Sequence, residues 1–116
     1  MKENLKKILH VEDDKDIQQY IATVLSDSAE ITPVSTIKAA KAALSNNTYK
    51  LVIVDLILPD GSGTGLVLDL AEQYPSLPVI VFSSHEITDT MRNVSRVFVK
   101  GRFRNQELID TVHKLC

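Results

Sequence analysis

The sequence predicts one α/β domain: a parallel sheet with helices on both faces. Short apolar runs alternate about five times with longer amphipathic stretches, the pattern of repeated β-α units. The runs are apolar almost throughout, as expected of central parallel strands buried on both sides. A length of 116 residues fits one domain, with enough chain to bury a core and no room for a second.

The elements follow in order. Ile8–Val11 is a compact apolar run that stops at Glu12, Asp13 and Asp14, a buried strand with acids at its end. Ile17, Tyr20, Ile21, Val24 and Leu25 form the apolar stripe of a helix. Glu30–Ser35 reads as a weaker strand; Pro33 has no N–H for the ladder, which places it at a sheet edge. Ile37, Ala40, Ala43 and Leu44 mark a second helix that Asn46 and Asn47 end. Leu51–Val54 is a third strand running into Asp55, and Leu58 through Gly63 is turn chemistry. Gly65–Tyr74 reads as a helix, Val79–Phe82 as a fourth strand ending in Ser83 and Ser84, and Val97–Val99 as a fifth ending in Lys100. The last helix carries Leu108, Ile109, Val112 and Leu115, with Asn105 as its expected N-cap.

Composition excludes several classes. A net charge of −2 offers no basic surface for nucleic acid or anionic membrane. One cysteine, Cys116, leaves nothing to form an internal disulfide. No apolar run approaches the roughly 20 residues of a membrane span. The polar start, Met1–Lys7, is not followed by the long apolar segment of a signal peptide. The expected location is the cytoplasm.

Ligands of open parallel sheets bind outside the C-terminal strand ends. Those ends carry Glu12 and Asp13, Asp55, Ser83 and Lys100. Three converging carboxylates repel one another. Lys100 offsets one charge and a divalent ion can offset two more. Oxygen donors suit Mg²⁺, and zinc is disfavoured because no Cys/His cluster is present. A hard cation and a lysine can neutralise phosphoryl oxygens while a carboxylate acts as nucleophile. Taken singly, each residue has a bland explanation as a loop starter, a helix cap or a solvated surface lysine. Arriving together at strand ends, they favour a site. His10, inside the first strand, reads as a satisfied core histidine; His113 reads as exposed; His85 is at best a residue lining the site.

These residues resemble the receiver domains of two-component signalling. The likeness spans about Ile8 to Leu115 and rests on four pieces: Ile8 through Asp14, Leu51 through Gly63, Pro78 through Ser84, and Val97 through Lys100. The resemblance implies a flavodoxin-like, doubly wound five-stranded sheet of order 2-1-3-4-5; the length adds the expectation of a single receiver domain over residues 1–116, with a core from about 7 to 115 and no output domain. It implies that Asp55 takes a phosphoryl group from a phosphohistidine of a sensor histidine kinase or a histidine phosphotransfer protein, with Mg²⁺ as cofactor. Asp13 then looks like the direct metal carboxylate, Glu12 its companion through water, and Ile57 a ligand through its backbone carbonyl. Ser83 would hydrogen-bond the phosphoryl group and Lys100 would pair with it. Nucleic acid and membrane are not expected partners. The chain would catalyse only its own phosphorylation and dephosphorylation, and would switch a protein-interaction face.

The chain departs from the family at several positions. Gly101 stands where proline usually follows the lysine, and Val97 where an aromatic switch residue is usual, with Phe98 beside it. Only 16 residues separate Ser83 from Lys100, which leaves the helix between the fourth and fifth strands about two turns. Its only large apolar residues are Ile87, Met91 and Val94, so a short or irregular helix and an altered readout are expected. Three rival readings compete with this one. A flavodoxin-type cofactor binder needs a phosphate loop where Glu12, Asp13 and Asp14 stand. A Mg²⁺-dependent phosphatase of the commonest type needs a second aspartate at the position of Ile57. A phosphorylation-independent interaction module of the same fold is the main alternative.

Overall fold

A computed structural model describes residues 5–84 and 92–116. The elements in chain order are β1 (Lys6–Val11), α1 (Lys15–Val24), β2 (Ala29–Val34), α2 (Ile37–Asn46), β3 (Leu51–Asp55), β4 (Ile57–Leu58), β5 (Gly61–Ser62), α3 (Gly63–Gln73), β6 (Val79–Ser83), β7 (Val94–Val99) and α4 (Asn105–Leu115). Five strands form one parallel sheet in the order β2-β1-β3-β6-β7. This is the expected 2-1-3-4-5 order, with Pro33 on an edge strand. The expected helix between the fourth and fifth strands falls largely on residues 85–91, outside the described residues, as does His85.

Alternation along the strands divides the core in two. Leu9, Val11, Val52, Val54, Val79 and Val81 pack with Ala40 and Leu44 of α2 and Leu66, Val67 and Leu70 of α3. Ile8, Leu51, Ile53, Ile80, Phe82 and Phe98 pack with Ile21 and Leu25 of α1 and Leu108 and Val112 of α4. Each fully buried aliphatic side chain contributes about 1.5–3 kcal/mol. The central strands β3 and β6 are buried at every position, which is why their sequences show no polar alternation.

Four local expectations need correction. The helix α4 is capped by extended Arg104 (φ −93, ψ 150), not by Asn105. The Arg104 N–H donates to the Glu107 carboxylate at 3.0 Å, and Asn105 is free to accept from the Tyr20 hydroxyl instead. The helix α3 begins at Gly63 rather than Gly65, because Ser62 caps it by accepting from the Thr64 N–H at 3.1 Å. The stretch from Leu58 to Gly63 includes three of the four residues of a small antiparallel ribbon: Ile57 pairs with Ser62 and Leu58 with Gly61. Val94, assigned above to a helix, begins strand β7, which a register shift between Val79 and Ile80 accommodates.

Candidate functional site

Strand register brings the polar residues together. Val11 lies beside Val54, so the next residues on the two strands, Glu12 and Asp55, are neighbours. Ser83 lies beside Val99, and the Lys100 N–H donates to the Ser83 carbonyl at 2.8 Å. The chain runs outward from β1 to β2 and, on the other side, from β3 to β6 and β7. The polar cluster therefore sits at the topological switch point between β1 and β3.

The Lys100 ammonium is 3.0 Å from Asp55 Oδ2 and 3.2 Å from Glu12 Oε1. Carboxylate oxygens of Glu12, Asp13 and Asp55 all lie within 4.8 Å of one another. Glu12, Asp55 and Ser83 are buried, whereas Asp13 is exposed. A cleft of about 400 Å³, lined by Glu12, Asp13, Asp55, Ile57 and Lys100 among others, opens above them. Asp55 Oδ1 accepts from the Ile57 N–H at 3.1 Å, which ties the acid to the turn that follows it. The Ile57 side chain is 71% exposed at the mouth of the cleft.

Electrostatics reflect the crowding. Burial, followed by a hydrogen bond with Asp55, pushes the Glu12 carboxyl up from 4.5 to about 7. Burial alone would lower the Lys100 ammonium, but Asp55 and Glu12 outweigh it and hold Lys100 above its ordinary value. One ammonium faces three carboxylates. The donors are all oxygen, and the unbalanced negative charge is what a hard divalent cation neutralises. The residues therefore fit Mg²⁺.

His10 is wholly buried in β1, as expected of a core residue, with its ring edge-on to Phe82 at 6.2 Å. Its ring nitrogens have no hydrogen-bond partner among the described residues, so the expected satisfaction is missing. Burial, then the charge of Lys100, pushes it down to about 4, which leaves the imidazole neutral near pH 7. His113 is exposed, with Nε2 2.9 Å from Ser28 Oγ. At the departures, Val97 is half-buried, Gly101 takes a left-handed φ of +78, and Phe98 turns to the α1/α4 side against Phe82 and Phe103.

Sequence reasoning missed two supporting residues. Asp60 caps α2 from the turn beyond Asp55: its carboxylate accepts from the Ile37 and Lys38 N–H groups at 2.9 and 3.1 Å. Gln18 is buried in α1 and donates to the Glu12 carbonyl oxygen. Its one sequence signal is a polar residue beside the apolar stripe at Ile17 and Ile21; for Asp60 the sequence shows only turn chemistry.

A doubly wound sheet with an acid cluster and a lysine at its switch point defines a receiver-type phosphorylation module. The profile of the response regulator receiver domain family matches residues 8–112, and the chain belongs to that family. It is 35% identical over 97 residues to the sensor protein TorS of Escherichia coli, covering 82% of this chain. Among solved structures it resembles the receiver domain of the Francisella response regulator 1452, at 28% identity, TM-score 0.84 and 95% coverage of both chains. It shares the fold of the response regulator TrrA of Thermotoga maritima, solved in complex with Mg²⁺-BeF, at 23% identity, TM-score 0.87 and coverage of 97% and 100%. The chain spans 11% of the length of TorS and 19% to 37% of several response-regulator relatives. It is a receiver domain of two-component systems. Among the described residues, no helix is long and apolar enough to cross a membrane.

Proposed function

We propose that Asp55 is the phosphoacceptor of this receiver domain. The observation that carries this reading is the placement of Asp55 at a buried strand end, within 3.0 Å of Lys100 and beside Glu12 and Asp13. An Asp55 carboxylate oxygen attacks the phosphorus of a phosphohistidine on a sensor histidine kinase or histidine phosphotransfer protein. The P–N bond breaks, its electron pair leaves with the imidazole, which takes up a proton, and a P–O bond forms the acyl phosphate. Asp13, Asp55, the Ile57 backbone carbonyl and, through water, Glu12 would hold Mg²⁺, which when bound would supply positive charge for the phosphoryl oxygens. Lys100 releases its ion pair with Asp55 to meet the phosphoryl group, and the Ser83 hydroxyl donates to it. The chain turns over no other substrate, works in the cytoplasm and acts as one domain over residues 1–116.

With Val97 in place of an aromatic switch residue, the readout departs from the usual face. The phosphorylation-independent interaction module is the second reading, and the intact acid cluster weighs against it. The test is intact mass after acetyl phosphate treatment, with and without Mg²⁺. A single Mg²⁺-dependent phosphoryl adduct, lost in Asp55→Asn, is expected. A folded wild-type protein that takes up no phosphoryl group favours the interaction module.

A further inference from the structure

Glu12 and Asp13 are consecutive residues, yet both present a carboxylate oxygen to one point. Successive side chains of a strand point to opposite faces. Convergence therefore requires the chain to leave the strand as soon as β1 ends at Val11, and to hold the Glu12–Asp13 peptide in a defined orientation. The repulsion among three carboxylates works against that arrangement whenever no cation is bound.

Besides the Asp14 N–H, which donates to Glu12 Oε2 at 3.3 Å, three contacts hold the turn. The Glu12 N–H donates to the Val34 carbonyl at 2.9 Å. Asp14 caps α1 by accepting from the Asp16 and Ile17 N–H groups at 2.9 and 3.2 Å. The third contact comes from Gln18, which is 9% exposed. Its Nε2 donates to the Glu12 carbonyl oxygen at 2.5 Å and to Ser35 Oγ at 3.3 Å. The amide orientation follows from chemistry, because a carbonyl oxygen only accepts and the nitrogen must face it. The carbonyl it holds belongs to the peptide that joins the two acids. A buried amide is costly unless bonded, and this one spends its donors on the acidic turn and on the residue that follows β2.

We propose that Gln18 is a positioning residue for the cation site: by fixing the Glu12–Asp13 peptide plane it preorganises both carboxylates before a metal arrives. The inference rests on the reading that these acids hold Mg²⁺. Without the Gln18 amide the turn relaxes to spread its charges, and binding has to reassemble it. The cation is then held less tightly, while the chemistry at saturating cation is unchanged.

The test uses the whole chain and Gln18→Met, which keeps length and removes the donor. Mg²⁺ affinity is read by calorimetry and by the rise in melting temperature on Mg²⁺ addition. Outer contacts of this kind are worth about tenfold in metal affinity, so Gln18→Met should weaken Mg²⁺ binding by about that factor. The half-saturating Mg²⁺ for acetyl phosphate labelling should rise equally, with the maximal rate within about twofold of wild type. Gln19→Met, at an exposed position on the same helix, should bind as wild type does. A folded Gln18→Met with unchanged Mg²⁺ affinity, or with a lower maximal rate and unchanged affinity, overturns the proposal. If Gln18→Met does not fold, Ser35→Ala decides: a smaller loss of affinity supports the proposal and an unchanged affinity overturns it. A wild-type chain that binds no Mg²⁺ refutes the underlying reading instead.

Discussion

Gly63 lies directly against the main chain of Asp55: a Cβ at Gly63 would sit 2.1 Å from the Asp55 carbonyl oxygen and 2.8 Å from Leu56 Cα. The Gly63 N–H donates to the Leu56 carbonyl at 2.9 Å, so helix α3 starts in contact with the strand that carries the acid. Backbone cannot yield as a flexible side chain does. Gly63→Ala should destabilise the fold by about 1–3 kcal/mol and slow phosphorylation by shifting Asp55. A melt and an acetyl phosphate time course check both; wild-type behaviour in both would mean that the α3 start moves freely.

The Glu12 carboxyl titrates near 7 in the folded chain against 4.5 ordinarily. The folded state therefore binds this proton more tightly than the unfolded state. Its stabilising effect is complete below about pH 4.5 and is lost as pH rises through about 7. Without Mg²⁺, this group should make stability fall between pH 5 and 8, by on the order of 1–3 kcal/mol. Glu12→Gln should flatten that slope. Because proton and cation compete for the same carboxylate, Mg²⁺ affinity should climb with pH up to about 7 and then level off. Melting curves across this range, with and without Mg²⁺, read both effects.

Lys100 is the cation that Asp55 and Glu12 share. Lys100→Met removes it, so the metal-free protein should lose more stability at pH 8, where Glu12 is ionised, than at pH 5. Equal losses at the two pH values would show that the ammonium acts by packing alone. The same variant should accept a phosphoryl group more slowly than wild type, which intact mass against time measures.

Ile57 stands exposed at the mouth of the cleft, two residues beyond Asp55. A branched apolar side chain there restricts water approaching an acyl phosphate. Ile57→Asn, which can hydrogen-bond a water, should shorten the phosphoryl lifetime several-fold while leaving Mg²⁺ affinity unchanged. Autodephosphorylation of the two proteins in excess Mg²⁺ is the comparison.

The sheet was legible because its strands are apolar on both faces and end in charged residues. That pattern located Glu12, Asp13, Asp55, Ser83 and Lys100 at one edge, and the structure brings them together. What escaped were features written in single polar residues. Gln18 lies beside an apolar stripe and shows its use only once the Glu12 carbonyl is seen beneath it. Asp60 looks like an ordinary turn residue, yet it caps a helix 23 residues earlier in the chain. The first half of β7 was missed because Ser95 and Arg96 are exposed on an edge strand, where the alternation of a buried strand breaks down. Asn105 satisfies the rules for a cap, but a tertiary partner, Tyr20, claims its side chain.

Pro33 gives the sheet a direction. The Val34 carbonyl accepts from the Glu12 N–H, so Val34 faces β1 and, by strand alternation, Pro33 turns its nitrogen outward. At that point the β2 border offers no donor to an incoming strand. On the opposite border, Arg96 is held by Glu107 and Thr111 of α4 and lies over the Phe98 ring. A strand added at the β2 border would therefore lack one ladder bond at Pro33, while Arg96 on the other border strand is committed to helix α4.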